Sequence, residues 1–364
     1  MACFKRKVFY LPGFDPRGSR FYRQMLAEAV APVAAMAAHG PGWRLSAQGS
    51  CCDYAILTWD DIVRAGWLRG GPALCAAMLV SYARMIARFD WRHAGDFSRG
   101  NWLAIYGPAA LVLGAALVAG ALAGAVAAVW LGAWGALVGA LAGLGTALAA
   151  PLLFGGLHAM WLLRFVLFND AYAAGQAPPA LGPRLDAFAD ALAAALAEPA
   201  DEVLLVAHSN GTVLAIEVVA RLIARLGALP GHFALVTLGG CLQMASLRRD
   251  ASGFHQAARQ VAASDLRWLD LSAPPDGACI RLGEPFAGLC AAPAGLVRLS
   301  PRWHVYADPA TYAARRADRF AIHFDYLRRL ARPSPLDFPA LLLAPRALAA
   351  SIAAFRADNG LADG

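Results

Sequence analysis

The chain has 364 residues, 59% of them hydrophobic and 16% charged, and its 32 Lys and Arg outweigh 25 Asp and Glu for a net charge of +7. That much apolar material excludes an intrinsically disordered chain, and a mild positive balance without any basic–aromatic pattern argues against nucleic acid and for attraction to acidic lipid. Seven cysteines, an odd number with no C-x-x-C pair and no metal-ligand spacing, argue against a disulfide framework or a metal centre and for reduced thiols.

Met1–Lys7 is too short and too basic for a cleavable leader, and Lys7–Leu11 reads as the first strand. Pro12-Gly13-Phe14-Asp15-Pro16 follows it as a Gly-containing loop. Arg20–Ala38 predicts a helix interrupted by Pro32, and Tyr54–Thr58 a second strand running into Trp59-Asp60-Asp61. Tyr82–Trp91 mixes arginines with Met85, Ile86, Phe89 and Trp91. That pattern suits either a helix lying on an anionic leaflet or an ordinary amphipathic helix packed on a sheet.

From Trp102 to Leu163 there is no Asp, Glu, Lys or Arg. Ala, Leu, Gly and Val dominate, over a length beyond any soluble core helix or signal peptide. At about 1.5 Å per residue the stretch could cross a 30 Å apolar core twice, with residues left for a turn. The expected spans lie near 104–127 and 135–158, with Trp130 and Trp134 at the interface by the tip. Gly114, Gly120, Gly124, Gly135, Gly139 and Gly143 would let the two helices approach closely. Arg84, Arg88, Arg92 and Arg99 precede the stretch, Arg164 follows it, and the turn has no basic residue. The positive-inside rule then puts both flanks in the cytoplasm.

A Pro-rich joint, Gln176–Pro183, leads to an Ala-rich helix near Arg184–Ala197. Next comes the most informative segment, Val203-Leu204-Leu205-Val206-Ala207-His208-Ser209-Asn210-Gly211-Thr212. An aliphatic run preceded by Asp201 and Glu202 reads as a buried parallel strand, and Val213–Leu226 has helical periodicity ending at Gly227. A serine at the apex of a sharp strand-to-helix turn is how a nucleophile is exposed, and small residues two before and two after it, here Ala207 and Gly211, relieve the crowding. Ser209 as a simple helix cap is the competing reading. Phe233–Leu238 predicts another strand, as does Leu266–Leu271, which leads into Ser272-Ala273-Pro274-Pro275-Asp276-Gly277. Leu341–Phe355 predicts a closing helix.

At these residues the chain resembles the α/β-hydrolase superfamily. The resemblance implies an α/β fold, a mostly parallel sheet flanked by helices, which the uncharged apolar stretch would interrupt as a two-helix transmembrane hairpin. The corresponding parts would be 1–100 for the first portion of the hydrolase domain, 101–168 for the hairpin and 169–364 for the catalytic portion. Strands before and after the insert would share one sheet, so both flanks lie on one side of the membrane and the number of crossings is even. The resemblance implies a Ser-His-Asp triad in the order acid, then histidine, after the nucleophile. Ser209 is the nucleophile and Asp276, just past a strand end, the acid, with Asp270 its competitor. His323 is the base, preferred to His304 because it comes late and opens an apolar helical run. His208 belongs to the turn and is not the base. The oxyanion hole would combine the amide of Asn210 with that of Phe14 or Gly13. Ala207 replaces the first glycine of the family pattern. Cys279 beside Asp276 lacks the turn geometry of a nucleophile.

The expected function is a membrane-anchored serine esterase or lipase, working through an acyl-enzyme on acyl esters or lipids in the bilayer, with no cofactor and no metal. An acyltransferase or thioesterase would use the same triad, and a non-catalytic membrane scaffold would need no activated serine.

Overall fold

The computed structural model describes residues 3–280 and 283–361; Met1 and Ala2, the start of the stretch read as too short for a leader, lie outside them. The chain divides into two compact units, one of them Gly66–Ala177 with Arg248–Asp250 and the other the remainder.

The larger unit is α/β, built on an eight-stranded, mostly parallel sheet. Its strands are β1 (Phe4–Leu11), β2 (Ala35–His39), β3 (Gly42–Ala47), β4 (Ser50–Ile56), β5 (Glu202–His208), β6 (Phe233–Leu238), β7 (Arg267–Leu271) and β8 (Leu296–Leu299), in the spatial order β2-β3-β4-β1-β5-β6-β7-β8. Among the described strands, only β2–β3 and β3–β4 pair antiparallel. Strands β5 and β6 are buried along their whole length, which is why they read as continuous aliphatic runs without alternation. Helix α1 (Ser19–Val30) follows β1.

Strand β1 pairs with β4 on one side, Val8 opposite Tyr54, and with β5 on the other, Val8 opposite Leu204. The chain therefore leaves β1 toward one half of the sheet and returns on the other. In open α/β sheets, that point of reversal, at the carboxyl ends of the strands, is where ligands bind.

A buried ion pair holds this seam. Arg6 donates from Nε and Nη2 to Glu202 Oε2 at 2.9 and 2.8 Å and also caps the carbonyls of Ala344 and Arg346. Glu202 Oε1 accepts from the Leu348 amide at 2.8 Å. Two strands and the C-terminal segment are thus joined through charges that water does not reach.

The second unit is helical: α2 (Gly71–Arg88), α3 (Arg99–Leu131), α4 (Gly135–Leu153) and α5 (His158–Ala173). Ser98 and Asn101 start α3 with reciprocal hydrogen bonds, the Asn101 amide to Ser98 Oγ at 3.1 Å and the Ser98 amide to Asn101 Oδ1 at 2.9 Å. A three-residue break, Gly132–Trp134, separates α3 from α4. Five of the six glycines expected at the contact are used there: a Cβ on Gly139 would lie 2.7 Å from the Gly120 carbonyl, one on Gly135 would lie 2.7 Å from that of Gly124, and Gly143 likewise faces the other helix, whereas a Cβ on Gly114 would meet nothing within 4 Å. Arg248 and Arg84 converge on buried Asp170, at 2.7 and 3.3 Å. Back in the first unit, α6 (Leu181–Leu196) precedes β5, and α7 (Gly211–Leu226) follows it.

Five local expectations are corrected. Arg20–Ala38 is not one helix: α1 stops at Val30 and Ala35–Ala38 belongs to β2. The second strand is β4, starting at Ser50 and ending at Ile56 rather than spanning Tyr54–Thr58. Leu341–Phe355 is broken between Leu343 and Leu348, because Pro345 disfavours helix in the residue before it. Of the two apolar spans, 104–127 lies within the longer α3, but the helix expected at 135–158 ends at Leu153. What is found is one helical stretch, Arg99–Leu153, long and apolar enough to cross a membrane, with 6% of its most apolar window buried. Helix α2 ends at Arg88, so Trp91 of the Tyr82–Trp91 segment lies in the following 3-10 turn.

Candidate active site

The site is built where β5 meets α7. Ser209 has φ +56, one of two non-glycine residues with positive φ among those described. An L-residue held in this region stores backbone strain and persists only where its surroundings require it. The Ser209 amide donates to the Leu238 carbonyl at 2.9 Å, and its own carbonyl accepts from the Thr212 amide at 3.0 Å and from Thr212 Oγ1 at 2.7 Å. Helix α7 starts at once, with Asn210 as its first flanking residue.

The loop after β1 closes on this turn. A Cβ on Gly13 would fall 2.7 Å from Ser209 Cβ and 3.1 Å from its Oγ, so only glycine lets the loop backbone lie against the serine side chain. Gly211 meets the same loop from the other side, where a Cβ would be 2.5 Å from the Leu11 carbonyl. Ala207, in place of the family's first glycine, is fully buried. The loop is pinned by Trp59 Nε1, which donates to the Pro12 carbonyl at 2.9 Å, and by buried Asp15. That carboxylate accepts from Arg17 Nη2 at 2.7 Å and from the Tyr22 hydroxyl at 2.8 Å. Phe14 packs on Trp59, ring centroids 6.3 Å apart.

Asp276 and His323 are brought together, with His323 Nδ1 2.8 Å from Asp276 Oδ2. Asp276 Oδ1 accepts from the Ala278 amide at 2.9 Å, and the carboxylate is closed to solvent. Burial would raise its pKa. The charge and hydrogen bond of His323, with the Ala278 amide, outweigh that and hold the carboxyl below its ordinary value. His323 lies in a 3-10 segment, Ala321–Leu327, rather than opening an α-helical run. His304 is exposed in a short helix, Trp303–Tyr306.

The competitor Asp270 is engaged elsewhere. Directly across from Thr237 in the β6–β7 pairing, it accepts from Thr237 Oγ1 at 2.6 Å, which in turn accepts from Trp268 Nε1 at 2.8 Å. Burial pushes its pKa up to about 6, against the pull of Thr237 and Arg298. Such a group binds its proton more tightly in the folded chain than in the unfolded one. Its contribution to stability is full below the ordinary carboxylate range and declines as pH rises through about 6. Asp270→Asn is expected to flatten that decline, so that thermal unfolding followed between about pH 4 and 7 shows a smaller loss in the variant than in the parent.

Two features were not anticipated from the sequence. His208 lies against His323: its Nε2 is 2.9 Å from the His323 carbonyl oxygen and the ring centroids are 4.8 Å apart. Since a carbonyl only accepts, the His208 proton sits on Nε2. Burial, then the neighbouring imidazole, pushes its pKa down to about 3, so the ring is neutral. The second feature is Arg17, whose guanidinium stands 4.8 Å from the ring centre of Phe324, next to the histidine. Both contacts join residues distant in the chain and carry no local signal. Cys279 is buried, with its Sγ 3.6 Å from the carbonyls of Ala273 and Asp276, and burial pushes its thiol well up, away from a reactive thiolate. Among the described residues, no group of three His, Cys, Asp or Glu is placed to hold a metal.

No known protein family, curated protein or solved structure matches this chain.

Proposed function

We propose that the protein is a serine hydrolase of carboxylic esters, anchored to a membrane. The observation that carries the reading is the strained Ser209 turn at the carboxyl end of β5, with the Gly13 backbone against its hydroxyl and His208 of the same turn against His323, the partner of Asp276. In the proposed reaction Ser209 Oγ attacks the ester carbonyl carbon while His323 Nε2 takes its proton. Asp276 holds the tautomer that leaves Nε2 free and stabilises the imidazolium. The amides of Asn210 and of Phe14 or Gly13 receive the oxyanion. Collapse expels the alcohol, which takes the proton from His323, and water repeats the sequence on the acyl-enzyme.

The anchor is Arg99–Leu153. No residue from Leu113 to Leu131 is buried, about 28 Å of helix, against an apolar core of about 30 Å. Trp130 and Trp134 at the tip are 83% and 69% exposed. From Tyr106 to Trp130 is about 36 Å of helix, a spacing that suits one aromatic belt at each interface. In this reading the stretch crosses twice and its basic flanks, with the catalytic unit, stay in the cytoplasm. Acyl esters dissolved in the bilayer are then the substrate class, on the strength of location.

The test is labelling of the purified protein with a fluorophosphonate. Stoichiometric attachment, lost in Ser209→Ala, is the expected result. A Ser209→Ala variant that hydrolyses short-chain nitrophenyl esters as fast as the parent would sink the assignment.

A further inference from the structure

We propose that the outward face of α2 is a second lipid-contacting surface, lying in the anionic leaflet at the foot of the helical anchor. This rests on reading Arg99–Leu153 as that anchor. The inward face of α2 carries Leu74, Met78, Ser81, Tyr82 and Met85, all buried. The outward face comprises Ala73, Ala76, Leu79, Val80, Ala83 and Ile86, all exposed, with Leu79 at 61%, Val80 at 57% and Ile86 at 52%. Their spacing of three and four places them on one stripe. From residue 72 to residue 87, about 24 Å of helix, no exposed side chain is polar or charged. The one arginine within that length, Arg84, is turned inward, its Nε 3.3 Å from buried Asp170 and its Nη1 2.8 Å from Gln176 Oε1.

An apolar face this long on a soluble surface needs a partner, and three observations name lipid. The helix that carries the stripe packs by its other side on the anchor's foot: the Tyr82 hydroxyl donates to the Ile105 carbonyl of α3 at 2.5 Å, and Cys75 Sγ lies 3.3 Å from the Ala147 carbonyl of α4. Its carboxyl end runs into stacked aromatic rings, Trp91 on Trp102 at 6.0 Å and Phe97 on Trp102 at 5.0 Å, with Trp91 44% exposed; amphipathic rings of this kind settle at headgroup level. Exposed Arg88 and Arg99 flank that cluster and form no ion pair among the described residues. A helix with one apolar face and unpaired arginines at its end fits an anionic leaflet better than a protein partner.

Leu79→Cys, Ala83→Cys and Ile86→Cys are made singly in a Cys3→Ser parent, labelled with a bimane fluorophore and reconstituted as the full chain into phosphatidylcholine vesicles with or without phosphatidylglycerol. Ala313→Cys, exposed on the helix Pro309–Ala317, is the control. The expected result is several-fold stronger quenching by acyl-chain nitroxide lipids at the three α2 positions than at 313, with iodide quenching in the reverse order. Phosphatidylglycerol should deepen the lipid quenching, and Arg88→Glu with Arg99→Glu should remove that increment. Alkaline carbonate extraction reads the anchor separately. Protein that resists extraction while its α2 labels remain as open to iodide as 313 overturns the proposal and leaves the anchor standing. Release by carbonate overturns both. Protection that grows with protein concentration in detergent, without lipid, assigns the face to a second copy of the chain and likewise overturns the proposal.

Discussion

Asp276→Asn is expected to leave the protein folded and to lower kcat for a short-chain nitrophenyl ester by about four orders of magnitude. The carboxylate accepts at Oδ2 from His323 Nδ1 and at Oδ1 from the Ala278 amide. An asparagine must offer one oxygen and one amide. Its oxygen suits the Ala278 amide, so its NH2 faces Nδ1 and drives the proton to Nε2. The base is then already protonated where it should receive the serine proton. Fluorophosphonate labelling should slow to a similar degree, while KM changes little. The pair also carries a pH signature. Because folding lowers the Asp276 pKa, its stabilising contribution is present above the ordinary carboxylate range and is lost as pH falls through the lowered value. Parent and variant should therefore differ most in stability at neutral pH and converge in acid. A variant with kcat within tenfold of the parent would remove Asp276 from the mechanism.

The largest effect on stability is expected at the Arg6–Glu202 pair. Removing one member leaves a charge in a site where Arg6 is 3% and Glu202 1% exposed. Glu202→Ala should cost about 3–5 kcal/mol, measured by denaturant unfolding. Restoring neutrality with Arg6→Met and Glu202→Leu together should recover much of that loss, because two charges then no longer need to be desolvated. A double variant as unstable as the single one would show that the hydrogen bonds to Ala344, Arg346 and Leu348, rather than the charge, hold this seam.

How much of this was legible differs by segment, and the physical reason differs too. The Ser209 turn is local: strand, strained apex and helix lie within neighbouring residues, and the small residues it needs are visible in the sequence. Central strands β5 and β6 announce themselves by burial on both faces. Strand β2 does not. Ala35–His39 is almost wholly exposed and rich in alanine, so its local preference is helical and only pairing with β3 makes it a strand. Strand β8 is four residues long, too short for a period to show. Pro345 breaks Leu341–Phe355 within a run of apolar residues whose spacing is otherwise that of a helix. Alternation along β7 left Asp270 and Asp276 unresolved. What separates them is tertiary: Thr237 across the sheet takes one, and a 3-10 segment 47 residues further on takes the other. The contact between His208 and His323 spans 115 residues and follows from the fold alone.

The pairing of β1 with β5 has an outcome for biosynthesis. Partners such as Arg6 and Glu202 lie 196 positions apart, and everything from the fifth strand onward emerges only after the greasy helices have left the ribosome. The half-sheet made first has no central neighbour until then. On the proposed reading, the nucleophile turn can form only after the membrane-spanning stretch has been made, so a chain whose synthesis stops within that stretch has no reactive serine.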